Sequence, residues 1–449
     1  MKFGKFGAMI LAAGLGTRMK SDLPKVLHPI CGQPMLTHII DQLLSLGVDK
    51  IVIIVSHGKE KVIQAISRDD KFVFIDQKKP LGTGHAVRQT EKIFKNFKGP
   101  VLILSGDAPA ITKHTLQAIL RAHQATKADL TCATADLPLS TPYGRIIRKN
   151  NKIQEIKEAL DCSKNELQIP EMNLGLYCAN PPTLFSALQK IKNKNAKKEY
   201  YLTDIVQLIN FSQAFKLEDA RETLGINNRV ELAKMNQYMQ HKINEKWMLR
   251  GVTLVDPNTT YIDASVTIGK DTVIEPGCHL KGKTWIGSGV TLKVGTLIED
   301  SRVDAAATVG PYARLRPKSH VKKGARVGNF VELKNTTLGE NSKANHLTYL
   351  GDAVIGKNVN IGCGVITCNY DGNLTYQGKA KTVIGDNCFI GSDCQLIAPL
   401  RLQKGTFVAS GSSVTNDAPK DSLVIARAKQ ITKKGYMKKM WVRAKKRKK

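Results

Sequence analysis

From Thr267 to Leu292 the chain reads TIGKDTVIEPGCHLKGKTWIGSGVTL, with an aliphatic residue at every sixth position: Ile268, Ile274, Leu280, Ile286 and Leu292. The period continues to Ile298 and restarts at Val303, Val309, Leu315, Val321, Val327 and Leu333. It resumes at Ile355 and Ile361, and again through Ile384, Ile390, Leu396, Leu402, Val408 and Val414. Such a period gives one short strand and one turn per hexapeptide. Three units close a triangular coil, with the aliphatic side chains stacked inside it. Glycine often follows the aliphatic residue, as at Ile268-Gly269, Ile286-Gly287, Val327-Gly328 and Ile390-Gly391, and is expected to serve the turns. Two segments, Asn345 to Asp352 and Asn369 to Lys381, break the phase and carry polar and ionisable residues. Insertions in solenoids gather on a functional face, so these breaks separate the chain from a purely structural coil.

Upstream of the coil, Leu232, Met235, Met239, Ile243 and Trp247 recur at three or four residues, which predicts one linking helix over 229–250. Before it, short aliphatic runs alternate with helical patterns: Ala8 to Ala12, Met35 to Ser45, Lys50 to Val55, Lys59 to Ile66, Phe72 to Ile75, Val101 to Leu104, Lys113 to Ala125 and Leu130 to Ala133. Runs that are apolar on both faces predict a parallel sheet covered by helices, a doubly wound α/β domain. Ligands then collect beyond the carboxyl ends of its strands. The expected division is a first domain over 1–228, the linker over 229–250, and the coil with a basic tail over 251–449.

The length of 449 residues suits two domains. No apolar run reaches the eighteen or so residues of a spanning helix, and a cytoplasmic protein is expected. Nine cysteines without a C-x-x-C pair argue against a disulfide framework or a zinc site and for buried thiols. The formal net charge is +30, with twelve Lys or Arg and no acid from Arg427 onward. Such charge can hold nucleic acid, but no aromatic stacking pattern or nucleic-acid motif accompanies it, and it also suits an enzyme with phosphorylated substrates. No dedicated nucleic-acid or membrane partner is expected.

After the first strand comes Leu11-Ala12-Ala13-Gly14-Leu15-Gly16-Thr17-Arg18-Met19, followed by Pro24-Lys25. Small residues there let backbone N–H groups approach a nucleotide phosphate, whose charge Arg18 and Lys25 would neutralise. The loop lacks the G-K-[ST] ending of a P-loop. Asp107, at the end of a bare strand in Ser105-Gly106-Asp107, needs a cation, and Mg2+ with its oxygen coordination is the natural one. Asn227 offers an amide oxygen as second ligand. The whole string resembles the sugar-nucleotide pyrophosphorylases, which join a nucleoside triphosphate to a sugar 1-phosphate. That resemblance implies a Rossmann-like nucleotidyltransferase domain whose metal is held by Asp107 and Asn227. UTP or its sugar product would lie against Leu11, Ala12, Ala13, Gly14, Lys25, Gln77, Gly82 and Thr83, and the sugar against Gly144, Glu155 and Asn173. Arg18 and Lys25 would be catalytic, stabilising charge as a sugar phosphate oxygen attacks the α-phosphorus. His85 reads better as a packed loop histidine.

In the second half, three strings stand out: Gly328-Asn329-Phe330-Val331-Glu332-Leu333-Lys334, Asn345-His346-Leu347-Thr348-Tyr349, and Cys368-Asn369-Tyr370-Asp371-Gly372. With Arg314-Leu315-Arg316-Pro317 they resemble the acetyltransferase half of the family that fuses an N-acetylglucosamine-1-phosphate uridyltransferase to a glucosamine-1-phosphate acetyltransferase. The resemblance runs from Leu11 to about Arg427. It implies an α/β nucleotidyltransferase domain followed by a left-handed parallel β-helix of hexapeptide repeats, with Mg2+ as cofactor and acetyl-CoA and UTP as co-substrates. His346 would be the general base, a role that suits imidazole as a side-chain type. Arg316, Lys334, Tyr349 and Asn360 would hold glucosamine 1-phosphate. Cys363, Asn369, Tyr370, Ser392, Ser410 and Arg427 would meet acetyl-CoA. The family also implies a homotrimer and a place in peptidoglycan and lipopolysaccharide synthesis. Cys363 and Ser410 stand where the family has small alanines, and Leu174 where a threonine is usual.

Overall fold

A computed structural model of the protein describes residues 4–66, 70–370, 372 and 379–447. Two compact units divide the chain, Met1–Gln240 and His241–Lys449. The division falls inside the helix Arg229–Met248.

Nine strands organise the first unit: β1 (Gly7–Leu11), β2 (Lys50–Val55), β3 (Phe72–Asp76), β4 (Val101–Ser105), β5 (Leu130–Asp136), β6 (Arg145–Lys149), β7 (Lys152–Lys157), β8 (Glu171–Ala179) and β9 (Ser212–Lys216). Seven of them run in the order β9-β5-β8-β4-β1-β2-β3. Successive side chains of β1 go to opposite faces, which is why the sheet strands read as bare aliphatic runs. Ala8 and Ile10 pack among Leu36, Ile39 and Ile119, whereas Met9 packs among Val87, Phe94 and Leu184. The helices Met35–Ser45 and Lys59–Ile66 take the bounds that periodicity predicts.

The sheet is not wholly parallel. β8 runs antiparallel to both β4 and β5. After β5 the chain turns through the β6–β7 hairpin and returns directly, without the crossover helix that a parallel neighbour requires. β6 also pairs with β8, at Arg145 and Met172.

The second unit is the coil. Among the described residues its strands form three parallel sheets of ten, nine and eight strands, each strand pairing with the third one along the chain except at the end, where Phe407–Val408 pairs with Leu423–Val424, the second one along. These are the three faces of a left-handed parallel β-helix. On the ten-stranded face the ladder stacks Leu254, Ile274, Leu292, Val309, Val327, Ala344, Ile361, Ile390, Val408 and Val424 in register. Nearly all of these side chains are buried in one continuous column. A small buried residue two positions before most of the aliphatic ones fills the corner, and where it is Thr its hydroxyl usually donates to a turn carbonyl, as from Thr296 to Lys293 at 2.7 Å, Thr382 being an exception. Cys278, Cys388 and Cys394 occupy such corners as buried thiols.

Two expectations change here. Asn345 to Asp352 does not leave the coil: Ala344 and Leu350 take the inward positions, and the strands Lys343–His346 and Tyr349–Gly351 stay on their ladders. The phase slips because this coil is one residue shorter, and Ala344 hides the period by being small. The second interruption, over 369–381, lies largely outside the described residues, as does Asp371. The glycines after the aliphatic residues also have a different reason. Gly328 is not left-handed, but a Cβ there would come 1.9 Å from the carbonyl oxygen of Asn345 in the next coil.

Candidate functional site

At the carboxyl ends of the parallel strands, the loop 12–16 follows β1, Gln77 follows β3, and Asp107 follows β4. Leu11, Ala12, Ala13, Gly14, Lys25, Gln77, Gly82, Thr83, Ser105 and Asp107 line one cavity of about 250 Å³. Ser105, Asp107, Tyr143, Gly144, Glu158, Asn173, Leu174 and Asn227 line a second, also about 250 Å³. The two share Ser105 and Asp107, so a molecule in each would meet at that carboxylate.

The charges converge on the same point. Lys25 Nζ is paired with Asp107 and donates to Asn227 Oδ1 at 3.3 Å, and Arg18 Nη2 donates to the same oxygen at 2.9 Å. Ser105 Oγ donates to Asp107 Oδ1 at 2.6 Å. Because one ammonium reaches both the Asp107 carboxylate and the Asn227 amide, their oxygens face a common point. An all-oxygen pair of this kind fits a hard divalent cation such as Mg2+. Gly225 lies against Asp107, where a Cβ would come 3.2 Å from Oδ1.

On the nucleotide side, buried Gln77 donates through Nε2 to Gly82 O at 3.2 Å and lies 3.0 Å from His85 Nδ1. Gly82 has φ 107° and a Cβ there would come 2.6 Å from Tyr200 O, so only glycine lets this loop close. His85 also meets Gln89, and burial, with Arg88 nearby, pushes its pKa down. It is a packed histidine.

On the sugar side one expected residue moves. Glu155 pairs with Ile147 within the hairpin and lines an adjoining depression with Lys190, Lys192 and Asp204, which shares Glu158 with the sugar cavity. Glu158, just past the end of β7, is the carboxylate that faces Gly144, with Oε2 3.6 Å from where a Gly144 Cβ would lie. Burial pushes its pKa up, against the hydrogen bond from Thr203. The hairpin explains the change: its register shifts between Ile147 and Arg148, so that Ile153 and Ile156, three residues apart, are both buried, and Glu158 follows where β7 ends. Asn173 donates to the Tyr177 hydroxyl at 2.7 Å and holds the Gly144 carbonyl through its backbone N–H.

In the β-helix, His346 ends a strand of the ten-stranded face, where it is paired with Asn329 of the preceding coil. The two side chains meet at 2.7 Å, His346 Nδ1 to Asn329 Oδ1. An amide oxygen can only accept, so Nδ1 carries the proton and the Nε2 lone pair is left for a substrate. Gly328 brings the two coils close enough for this contact. Down the same corner run Cys363, Ser392 and Ser410, each two residues past a ladder residue. Ser392 N donates to Ser410 Oγ at 3.1 Å, and Arg427 Nη1 to Ser410 O at 2.6 Å.

The expected sugar-phosphate residues divide. Arg316, Lys334 and Tyr349 belong to the nine-stranded face, whereas Asn360 pairs with Lys343 on the ten-stranded one, in the strand next to that of His346. Lys334 lies beside Lys379, whose like charge pushes its pKa down, with Arg316 adding to the effect. Cations held this close suit an anionic ligand. Asn369, expected at acetyl-CoA, is instead on the nine-stranded side, bonded to Asp352 and close to Tyr349. Tyr370 is exposed. The residues that the sequence reading passed over are Glu158, Asn329, Asp352 and Lys379. Asn329 could have been found by counting back one coil from His346.

A family model described as a MobA-like NTP transferase domain matches residues 8–190. The chain is 44% identical to the bifunctional protein GlmU of Shouchella clausii, over 97% of this chain and 99% of that one. It is 44% identical to the bifunctional protein GlmU of Listeria monocytogenes serotype 4a, over 96% and 98%, and 43% identical to that of Geobacillus sp. strain WCH70, over 96% and 97%. With matches that span both units and nearly the whole of each relative, the chain belongs to the bifunctional GlmU family.

Proposed function

We propose that the chain performs two consecutive transfers on one amino sugar: acetyl from acetyl-CoA to glucosamine 1-phosphate in the β-helix, then uridylyl from UTP to the N-acetylated product in the first unit. The observation that carries the second transfer is the junction of two cavities at Asp107, where Lys25, Arg18 and Asn227 also meet. UTP would occupy the Gln77 side and the sugar phosphate the Asn173 side. A phosphate oxygen of the sugar then attacks the α-phosphorus in line, pyrophosphate leaves, and no covalent enzyme intermediate is needed. Asp107 and Asn227 would hold Mg2+, which neutralises triphosphate charge. Lys25 and Arg18 align two anions that repel each other and stabilise the added charge of the transition state.

For the first transfer, His346 Nε2 takes a proton from the sugar amine as its nitrogen attacks the thioester carbonyl, and CoA leaves as the thiol. Asn329 fixes the tautomer that this requires. Lys334, Arg316 and Lys379 supply charge for the sugar phosphate. Because Asn360 and the Arg316–Lys334–Tyr349 group occupy different faces of one coil, we also propose that the acetyl site is completed between subunits, in a homotrimer. The expected setting is the cytoplasm.

The test is a coupled assay with glucosamine 1-phosphate, acetyl-CoA, UTP and magnesium that follows free CoA and pyrophosphate separately. Release of both is expected. Pyrophosphate appearing only when N-acetylglucosamine 1-phosphate is supplied would reduce the β-helix to a scaffold. Trimer assembly is checked by sedimentation equilibrium, and a fully active monomer would overturn the shared site.

A further inference from the structure

Among the described residues Arg145 is the largest side chain that is fully buried, only 1% exposed, and no carboxylate pairs with it. Its guanidinium donates instead to three backbone carbonyls: Nη2 to Leu139 at 2.8 Å, and Nη1 to Thr141 at 3.1 Å and to Tyr143. Nε has no partner among the described residues. Taking a charge out of water is costly, and a residue that served only the core could be replaced by an apolar side chain of similar volume. The carbonyls point to another reason for the placement. All three belong to the segment between β5 and β6, which has no helix or strand of its own and exposes Leu139, Ser140 and Pro142. A planar fork with fixed donors suits several carbonyls held in one arrangement, which a flexible ammonium does not.

That segment is one wall of the sugar cavity, to which it gives Pro142, Tyr143 and Gly144. Its end is fixed where Asn173 N donates to the Gly144 carbonyl at 2.8 Å. A second attachment leads to Asp107 and Asn227. The Tyr143 hydroxyl accepts from Gly225 N at 3.2 Å, and Ile226 N donates to the Asp107 carbonyl at 3.1 Å. Burial, and then the nearby carboxylates of Asp107 and Glu231, push the Tyr143 pKa up and keep the phenol neutral. Arg145 lines neither cavity, yet through Tyr143 it sets the sugar wall against segment 225–227, which carries Asn227. We propose that Arg145 is a positioning residue for uridylyl transfer, stapling loop 139–143 so that the sugar phosphate lies in line with the nucleotide at Asp107 and Asn227. The inference rests on the uridylyl-transfer reading above.

The test measures pyrophosphate release by the full chain, with N-acetylglucosamine 1-phosphate and UTP varied in turn, for the parent, Arg145→Met and Arg145→Lys. Both variants should lower kcat/KM for the sugar phosphate about tenfold to a hundredfold, the cost of a misplacement near 1 Å, with KM for UTP and acetyl transfer within about twofold of the parent. Lysine keeps the charge but not the fork, so it should not rescue. Full rescue by lysine, an equal loss for both substrates, or a lower thermal midpoint with unchanged kinetics would overturn the inference and leave Arg145 a structural residue. If the Arg145 variants do not fold, Tyr143→Phe decides, because it leaves the buried arginine in place: KM for the sugar phosphate should rise about threefold or more with KM for UTP unchanged, and an unchanged sugar KM would overturn the inference. A parent that releases no pyrophosphate from these substrates would overturn the uridylyl-transfer reading itself, and the inference with it.

Discussion

In the first unit Lys25 reaches across 82 residues to Asp107 and 202 to Asn227, whereas in the β-helix His346 reaches back only 17, one coil, to Asn329. The sheet gathers its chemistry from loops that share nothing but an edge, so each loop can carry its own residue. The coil builds its site by stacking, and a residue's position is set by the backbone of the coil beneath it. A change at the sheet edge should therefore act through the side chain it removes, while a change in the coil can act through a backbone shift.

The widest separation between the two comes from removing the central group of each. His346→Ala should lower acetyl transfer by about a thousandfold and leave uridylyl transfer within about twofold, since a positioned general base contributes on the order of 10²–10⁴. Asp107→Ala should do the reverse, measured as pyrophosphate release. If either substitution removed both activities from a folded protein, the two sites would not be independent.

Gly328→Ala breaks the comparison from the other side, because it deletes nothing. The added methyl would overlap the Asn345 carbonyl and push the coil that carries His346 away from Asn329. Acetyl transfer should fall by about tenfold to a hundredfold, consistent with the cost of a misplacement near 1 Å, while uridylyl transfer is spared. A variant with unchanged acetyl transfer would show that stacking does not position the base.

At the sheet edge, Glu158→Ala should raise KM for the sugar phosphate about tenfold, and Glu155→Ala by less than about twofold. Equal effects would mean that the hairpin rearranges when the sugar binds. This pair also marks the limit of what the sequence makes legible. The coil could be read because its period repeats in every strand, and Lys25 and Asp107 because they sit in short strings beside a bare strand. Glu155 and Glu158 are three residues apart in the same charged stretch, and which one faces the cavity depends on where β7 ends. The antiparallel β8 escaped for a similar reason: its aliphatic residues are the same whichever way the strand runs, and only the hairpin before it decides direction. In the coil, Ala344 concealed the ladder at the coil that carries the base.

The smallest expected effect comes from the depression beside the sugar cavity, where Asp204 lies near Glu158, Glu155 and Asp161. Burial first, and then these three carboxylates, push the Asp204 pKa up to about 6. A raised carboxyl favours the protonated folded state, so its contribution to stability is fully present below its unfolded pKa and is lost as pH rises through about 6. Asp204→Asn keeps the shape and removes the titration. Its thermal midpoint should match the parent near pH 4 and exceed it by roughly 2 °C near pH 7.5, because the neighbouring carboxylates then face no fourth charge. The Asp204 side is only half-buried and water screens the repulsion, which keeps the difference small. A midpoint difference that is independent of pH would mean that packing, and not charge, sets the effect.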